Sequence, residues 1–252
     1  MTFFTVMQAL FLSLAIGALM GLTGAGGGSV YVLLLTFTFK RPPHEAVGTA
    51  LALSTVTSLT GVIGHLREKN VSLPHALTLG CTGTIAAILS GWLGSLIPET
   101  ILRWLIIIVF LGIGIGSLEI LWYPKNPPNL TGKRWPMWRQ GIVGTIIGIA
   151  SGSFGVSGGT PIASYLATYE GLPTGSAVGT ALAVVSMMSL AGAFVYFSQG
   201  NLNPKLLGLL VGGAVVGAYS GARLTRYINR RVLLGVLSLL TLIAAVGVFR
   251  GA

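Results

Sequence analysis

The sequence has no aspartate, only five glutamates and a single cysteine in 252 residues, and charged residues make up 8% of it. A water-soluble globular domain carries about a quarter of its residues as Asp, Glu, Lys and Arg. With 53% hydrophobic residues and a mean hydropathy of +0.84, the chain reads as an integral membrane protein. The shortage of acids excludes chemistry as well. Glu45, Glu68, Glu99, Glu119 and Glu170 fall in loops or near the ends of apolar runs, as do His44, His65 and His75. No carboxylate therefore stands out in mid-membrane as a proton relay or cation site. No histidine set suggests a metal, no nucleophile has an attendant base, and no ATP-binding motif is present. The expectation is a protein that is not an enzyme and uses no cofactor or metal. Cys81 cannot form an internal disulfide, and its place inside an apolar run suggests a packed, inert thiol. A basic leader is missing too: the first basic residue is Lys40, so the segment Met1 to Leu22 is expected to stay as a span.

What the chain does have is long uncharged runs. Those at Met1 to Phe39, Ala46 to Leu66, Asn70 to Pro98 and Gln140 to Tyr169 exceed the ~20 residues a helix needs to cross the hydrocarbon core. They lack the polar–apolar alternation of barrel strands. The predicted fold is all-α, with helical elements at about 3–22, 29–39, 46–66, 73–96, 102–121, 141–152, 160–168, 177–197, 206–222 and 232–248. The piece from Ser29 to Phe39 would be only ~16 Å long at 1.5 Å per residue, so it is expected to be a half-helix. Trp122 and Tyr123 stand where an interfacial aromatic pair belongs.

Two glycine-rich breaks organise the pattern: Gly24-Ala25-Gly26-Gly27-Gly28-Ser29 and Gly155-Val156-Ser157-Gly158-Gly159-Thr160. They belong to an internal repeat with an offset of 131. That offset carries Gly17 to Gly148, Gly21 to Gly152, Pro42 to Pro173, and the seven residues Ala46 to Ala52 onto seven identical ones at Ala177 to Ala183. One residue is lost near Asn201, after which Ser90-Gly91 aligns with Ser220-Gly221 at an offset of 130. The expected organisation is a first membrane repeat at 1–122, a proline-rich, basic linker at 123–139 and a second membrane repeat at 140–252. Each repeat would hold about five helical elements, including short Gly-broken helices.

The net charge of +10 would suggest nucleic acid in a soluble protein. Here the basic residues sit in short loops, where they report topology instead. Placing the loop at Arg67 to Lys69, the linker and the loop at Arg223 to Arg231 in the cytoplasm puts ten basic residues inside and five outside. Corresponding loops then fall on opposite sides, so the repeats are expected to have inverted topology.

In transporters, corresponding Gly-interrupted segments in two repeats are the best sequence pointer to a binding site. Each break exposes a helix N-terminus, with Ser29 and Thr160 expected as N-caps and Pro161 following. Such a terminus offers free N–H groups and partial positive charge to an anion. The candidate substrate-binding residues are Gly24, Gly26, Gly27, Gly28, Ser29, Gly48 and Thr49, with Gly155, Ser157, Gly158, Gly159, Thr160, Gly179 and Thr180 in the second repeat. Helix packing is the competing use of the glycines, expected chiefly of Gly112, Gly114, Gly116, Gly208, Gly212 and Gly213. For Thr49 and Thr180 the competing reading is a bond back to their own helix. As a dinucleotide fingerprint the run at Gly24 fails, since no βαβ unit surrounds it.

The Gly-Ala-Gly-Gly-Gly-Ser end of the first helix, the Ala-Val-Gly-Thr-Ala-Leu block about twenty residues on, and the second copy of both resemble the sulfite exporter TauE/SafE family of membrane permeases. The resemblance implies transport of a small sulfur-containing anion, such as sulfite, sulfoacetate or another organosulfonate, across a bacterial inner membrane. It implies roles for Gly24, Gly26, Gly27, Gly28, Gly155, Gly158 and Gly159 and for the Gly-Thr pairs at 48–49 and 179–180. Ser157 departs from the first copy, where Gly26 stands. Related thiosulfate permeases use several cysteines, which this chain lacks. The leading expectation is a secondary transporter whose partners are a small anion and membrane lipid, with homo-oligomerisation left open. An anion channel or a non-transporting structural or assembly subunit are the alternatives.

Overall fold

The computed structural model describes residues 3–24, 26–122 and 136–224. They form α1 (Phe3–Thr23), α2 (Gly28–Leu33) running directly into a π-helical turn (Leu34–Thr38), α3 (Pro43–Arg67), α4 (Leu73–Gly94), α5 (Glu99–Trp122), α6 (Met137–Phe154), α7 (Gly159–Thr168), α8 (Thr174–Ser198) and α9 (Pro204–Leu224). The all-α membrane expectation holds: among the described residues, α1, α3, α4, α8 and α9 are each long and apolar enough to cross a bilayer. The expected element at 232–248, most of the linker, Ala25, Tyr123 and the loop beyond Leu224 lie outside the described residues.

The offset of 131 carries the bounds of α3 onto those of α8, and Gly28 at the start of α2 onto Gly159 at the start of α7. Proline sets both long helices. Pro42 and Pro173 precede them with φ/ψ of −53°/148° and −53°/146°, which is where proline holds φ and where a helix is free to begin.

Contacts interleave the two halves. Helix α1 packs chiefly against α9, α6 against α4, and the two long helices α3 and α8 against each other. Leu51 meets Gly192, Ser54 meets Ser189, and Leu182 meets Gly61. As numbers rise on one helix they fall on the other, so α3 and α8 run antiparallel. The outer pairs run parallel, with Leu10 beside Gly213 and Ala18 beside Gly221, and with Leu79 beside Gly144 and Ala87 beside Gly152. Backbone meets backbone there through glycine: a Cβ on Gly17, Gly21, Gly217 or Gly221, or on Gly144, Gly148 or Gly152, would overlap a carbonyl of the facing helix. Close small-residue packing is how helices associate in lipid, where no hydrophobic force separates helix from acyl chain.

Two expectations are corrected. The N-caps of α2 and α7 are Gly27 (φ 88°) and Gly158 (φ 63°), without side-chain cap bonds, so Ser29 and Thr160 sit one residue inside their helices. A left-handed cap needs glycine, and a β-carbon at either site would be strained. Second, Cys81 is exposed on the surface of α4, because an apolar run fits lipid as well as it fits a core. Among the described glycines for which packing was the competing reading, Gly112, Gly208 and Gly212 face open space and Gly213 packs against α1.

Candidate anion site at the paired helix breaks

The two breaks meet. Gly24 closes α1 with φ 71° and donates its N–H to the Met20 carbonyl at 3.0 Å; Gly155 closes α6 with φ 70° and donates to Ser151 at 2.9 Å. From these matching ends the chains turn inward from opposite directions. Gly24 lies against Val178 near the start of α8, and Gly155 against Val47 near the start of α3. Between them Gly26 and Gly28 pack on Ser157, and the Gly28 N–H donates to Ser157 Oγ. A Cβ on Gly28 would overlap the Gly155 carbonyl oxygen.

The first bond inside α2 is donated by Tyr31 to Gly27 (2.9 Å), and the first inside α7 by Ile162 to Gly158 (3.1 Å). The N–H groups of Gly28, Ser29 and Val30, and those of Gly159 and Thr160, therefore have no partner within their own helices. Both helices thus point N–H groups and the positive ends of their dipoles at the junction. Gly24, Gly26, Gly27, Gly28, Gly155, Ser157, Gly158 and Gly159 are buried, while Ser29 and Thr160 are half-buried.

Hydroxyls on the long helices complete this centre, and three of them are residues that sequence reasoning missed. Ser54 donates to the Gly26 carbonyl at 2.5 Å and Thr57 to the same oxygen at 3.2 Å. Ser189 donates to Ser54 Oγ at 3.3 Å. The available signal was Ser54, Thr57 and Ser58, small hydroxyls clustered in mid-span just after the repeated block.

The Gly-Thr pairs do different work from the breaks. Thr49 Oγ1 accepts from the Asn203 N–H (3.0 Å) and Thr180 Oγ1 from the Ser72 N–H (2.9 Å). A Cβ on Gly48 or Gly179 would overlap the carbonyl of Asn201 or Asn70. Each pair clasps the loop of the opposite half, at opposite ends of the α3–α8 pair. The structure thus brings the two breaks together and turns the Gly-Thr pairs onto the opposite loops, while the neighbouring Val47 and Val178 touch the breaks. Each threonine hydroxyl is engaged by the loop of the opposite half.

Ser157→Ala is expected to leave the buried Gly28 N–H without its acceptor. That loss costs about 1–3 kcal/mol, seen as a lower unfolding temperature of the purified protein. An unchanged temperature would show that the breaks are not held together by this bond.

The sequence that builds these two glycine-broken helix pairs is matched by a family model. The model described as sulfite exporter TauE/SafE matches residues 9–248. The chain belongs to this family. Among similar proteins, the probable membrane transporter protein YdhB of Bacillus subtilis is 29% identical over 91% of this chain and 94% of its own. A probable membrane transporter protein of Xylella fastidiosa (strain Temecula1 / ATCC 700964) is 28% identical over 83% of this chain and 80% of its own. One of Methanocaldococcus jannaschii is 26% identical over 74% and 70%. No solved structure matches. This TauE/SafE chain is a multi-pass membrane protein of a transporter family, and the paired breaks are its candidate substrate site.

Proposed function

We propose that this protein is a secondary transporter that carries a small sulfur oxyanion or organosulfonate across the bacterial inner membrane, binding it between the two helix breaks. The observation that carries this reading is the meeting of the breaks midway along α3 and α8, where Gly28 N–H, Ser157 Oγ and the Gly155 backbone touch. In this closed contact Ser157 Oγ occupies the position an anionic oxygen takes when the breaks part. Backbone N–H groups and hydroxyls bind such an oxygen without a fixed cation, which would be costly to bury. The family's description as a sulfite exporter supports sulfur oxyanions as the substrate class.

The antiparallel run of α3 and α8, which are equivalent in the repeat, supports inverted topology. Alternating access then follows from rocking one half against the other about a fixed site. Arg67, Lys69, Arg139 and Arg223 fall at one end of the helix pair, and Lys40, Arg41, Arg103 and Lys205 at the other; the first end is assigned to the cytoplasm.

Ligand-induced thermal shift of the purified protein tests the substrate class, because a ligand that binds only the folded state raises its stability. Sulfite or sulfoacetate is expected to raise the unfolding temperature more than equal taurine or sulfate. No shift with any of the four would refute the reading.

Topology has its own test in a Cys81→Ser background. Cysteines placed at Glu99 and Gln199 are expected to react with an impermeant thiol reagent added outside the cell, and those at Lys69 and Gly171 to stay protected. Equal labelling of all four from one side would overturn the inverted arrangement.

A further inference from the structure

The clasps at the two ends of the α3–α8 pair share a backbone design and differ in what they hold. At one end Asn203, bonded through its N–H to Thr49, donates from Nδ2 to Glu45 Oε1 at 2.6 Å. Glu45 also faces the Arg41 guanidinium at 3.7 Å. At the other end Ser72, bonded through its N–H to Thr180, pairs its Oγ with His75 Nδ1 at 2.7 Å. His75 Nε2 lies 3.6 Å from Glu170 Oε2. The Glu170 side chain is 3% exposed, and its other oxygen accepts from the Tyr165 hydroxyl (2.9 Å) and from Gln140 Nε2 (3.1 Å). One buried carboxylate thus ties together α4, α6 and α7, while His75, in the first turn of α4, keeps its side chain 25% exposed. The repeat does not copy this cluster: the positions equivalent to Glu170, Tyr165 and Gln140 are Phe39, Leu34 and Ala9.

We infer that His75 and Glu170 form a proton-binding site that couples proton movement to that of the anion; this rests on the transport reading above. Histidine is the side chain whose ordinary charge change falls between about pH 5 and 8. A proton taken onto the ring from water on one side makes an ion pair with Glu170; it is released to water on the other side, together with the anion, when the halves rock, and the carboxylate then faces a neutral ring again. An ion pair screened from water attracts more strongly than one at the surface. The cluster holds the C-terminal end of α7, and the N-terminal end of α7 forms one wall of the paired breaks. The proton therefore sets how firmly that wall is held against α4 and α6. The other charged or titratable groups here include Arg139 on α6, whose charge acts on Tyr165, Tyr169, with its ring 5.7 Å from that of Tyr165, His65 on α3, packed against Gly179, and Glu68 and Lys69 in the α3–α4 turn, Glu68 bonded to Asn70 at 3.2 Å. The first turn of α8 supplies none.

The test uses the full chain in lipid vesicles with an entrapped pH dye and radiolabelled sulfoacetate as the probe. In the parent, a sulfoacetate gradient is expected to move protons. In His75→Gln and Glu170→Gln the protons moved per sulfoacetate should fall about tenfold, within the usual range of coupling between sites, while Glu99→Gln keeps the parent ratio. An unchanged ratio in both cluster variants overturns the inference. If the parent moves no sulfoacetate, the transport reading fails for this probe, and pH-difference infrared spectra of the same vesicles decide the proton site. An imidazole or carboxyl band present in the parent and lost in His75→Gln upholds it, and a band unaltered in that variant overturns it. Should Glu170→Gln fail to insert, Tyr165→Phe takes its place, since it removes only one hydrogen bond from the carboxylate and is expected to shift the same band.

Discussion

Gly28→Ala is expected to stop transport while the protein inserts normally. Gly28 begins α2 with an ordinary helical backbone, so alanine there carries no conformational penalty of the kind that Gly24, Gly27, Gly155 and Gly158 would incur with their positive φ. What alanine changes is the approach of the two breaks, because its methyl group would overlap the Gly155 carbonyl and crowd Ser157. The breaks are pushed apart and the N–H groups of α2 lose their alignment with those of α7. A fall in transport of at least about a hundredfold, equivalent to about 3 kcal/mol, is expected. The matched control is Gly112→Ala on α5, where a Cβ meets nothing within 4 Å. The measurement is uptake of labelled sulfite or sulfoacetate into vesicles, normalised to inserted protein. Parent-like transport by a well-inserted Gly28→Ala variant would place the anion site elsewhere and leave the breaks as packing devices.

The largest loss of stability is expected from Gly148→Leu and Gly217→Leu. These glycines occupy equivalent seams, Gly148 facing the Gly83 carbonyl across α6 and α4, and Gly217 facing the Leu14 carbonyl across α1 and α9. A leucine cannot lie between two touching backbones, so each seam must open along its length. The cost is about 3 kcal/mol for each, at the upper end of overpacking penalties. Gly208→Leu and Gly212→Leu, on α9 but facing open space, should stay within about 0.5 kcal/mol of the parent. Thermal unfolding in detergent distinguishes the two pairs, and similar unfolding temperatures for all four would show that these seams do not hold the fold together.

Much of this was legible in the sequence because it follows from local chemistry. The shortage of charge and the length of the apolar runs require helices in a membrane. Glycine clusters mark where those helices stop, and the offset of 131, falling to 130 after Asn201, pairs elements of the first repeat with their copies. The match of Pro43–Arg67 with Thr174–Ser198 was already implied by Pro42 and Pro173. The caps were misplaced by two residues because serine and threonine are ordinary N-caps, whereas these turns approach from a left-handed backbone that only glycine adopts easily.

What the sequence by itself determined is the class, the repeat and the positions of the breaks. Tertiary structure alone decided which surfaces meet: α1 with α9, α4 with α6, the Gly-Thr pairs on the opposite loops, Cys81 facing outward, and Glu170 buried among His75, Tyr165 and Gln140. The reason is physical. Lipid and protein interior are equally apolar, so hydrophobicity along a span cannot mark its inner face. Only the fit of small residues against a particular backbone, and the pairing of a few polar groups brought from distant parts of the chain, distinguishes one face from the other.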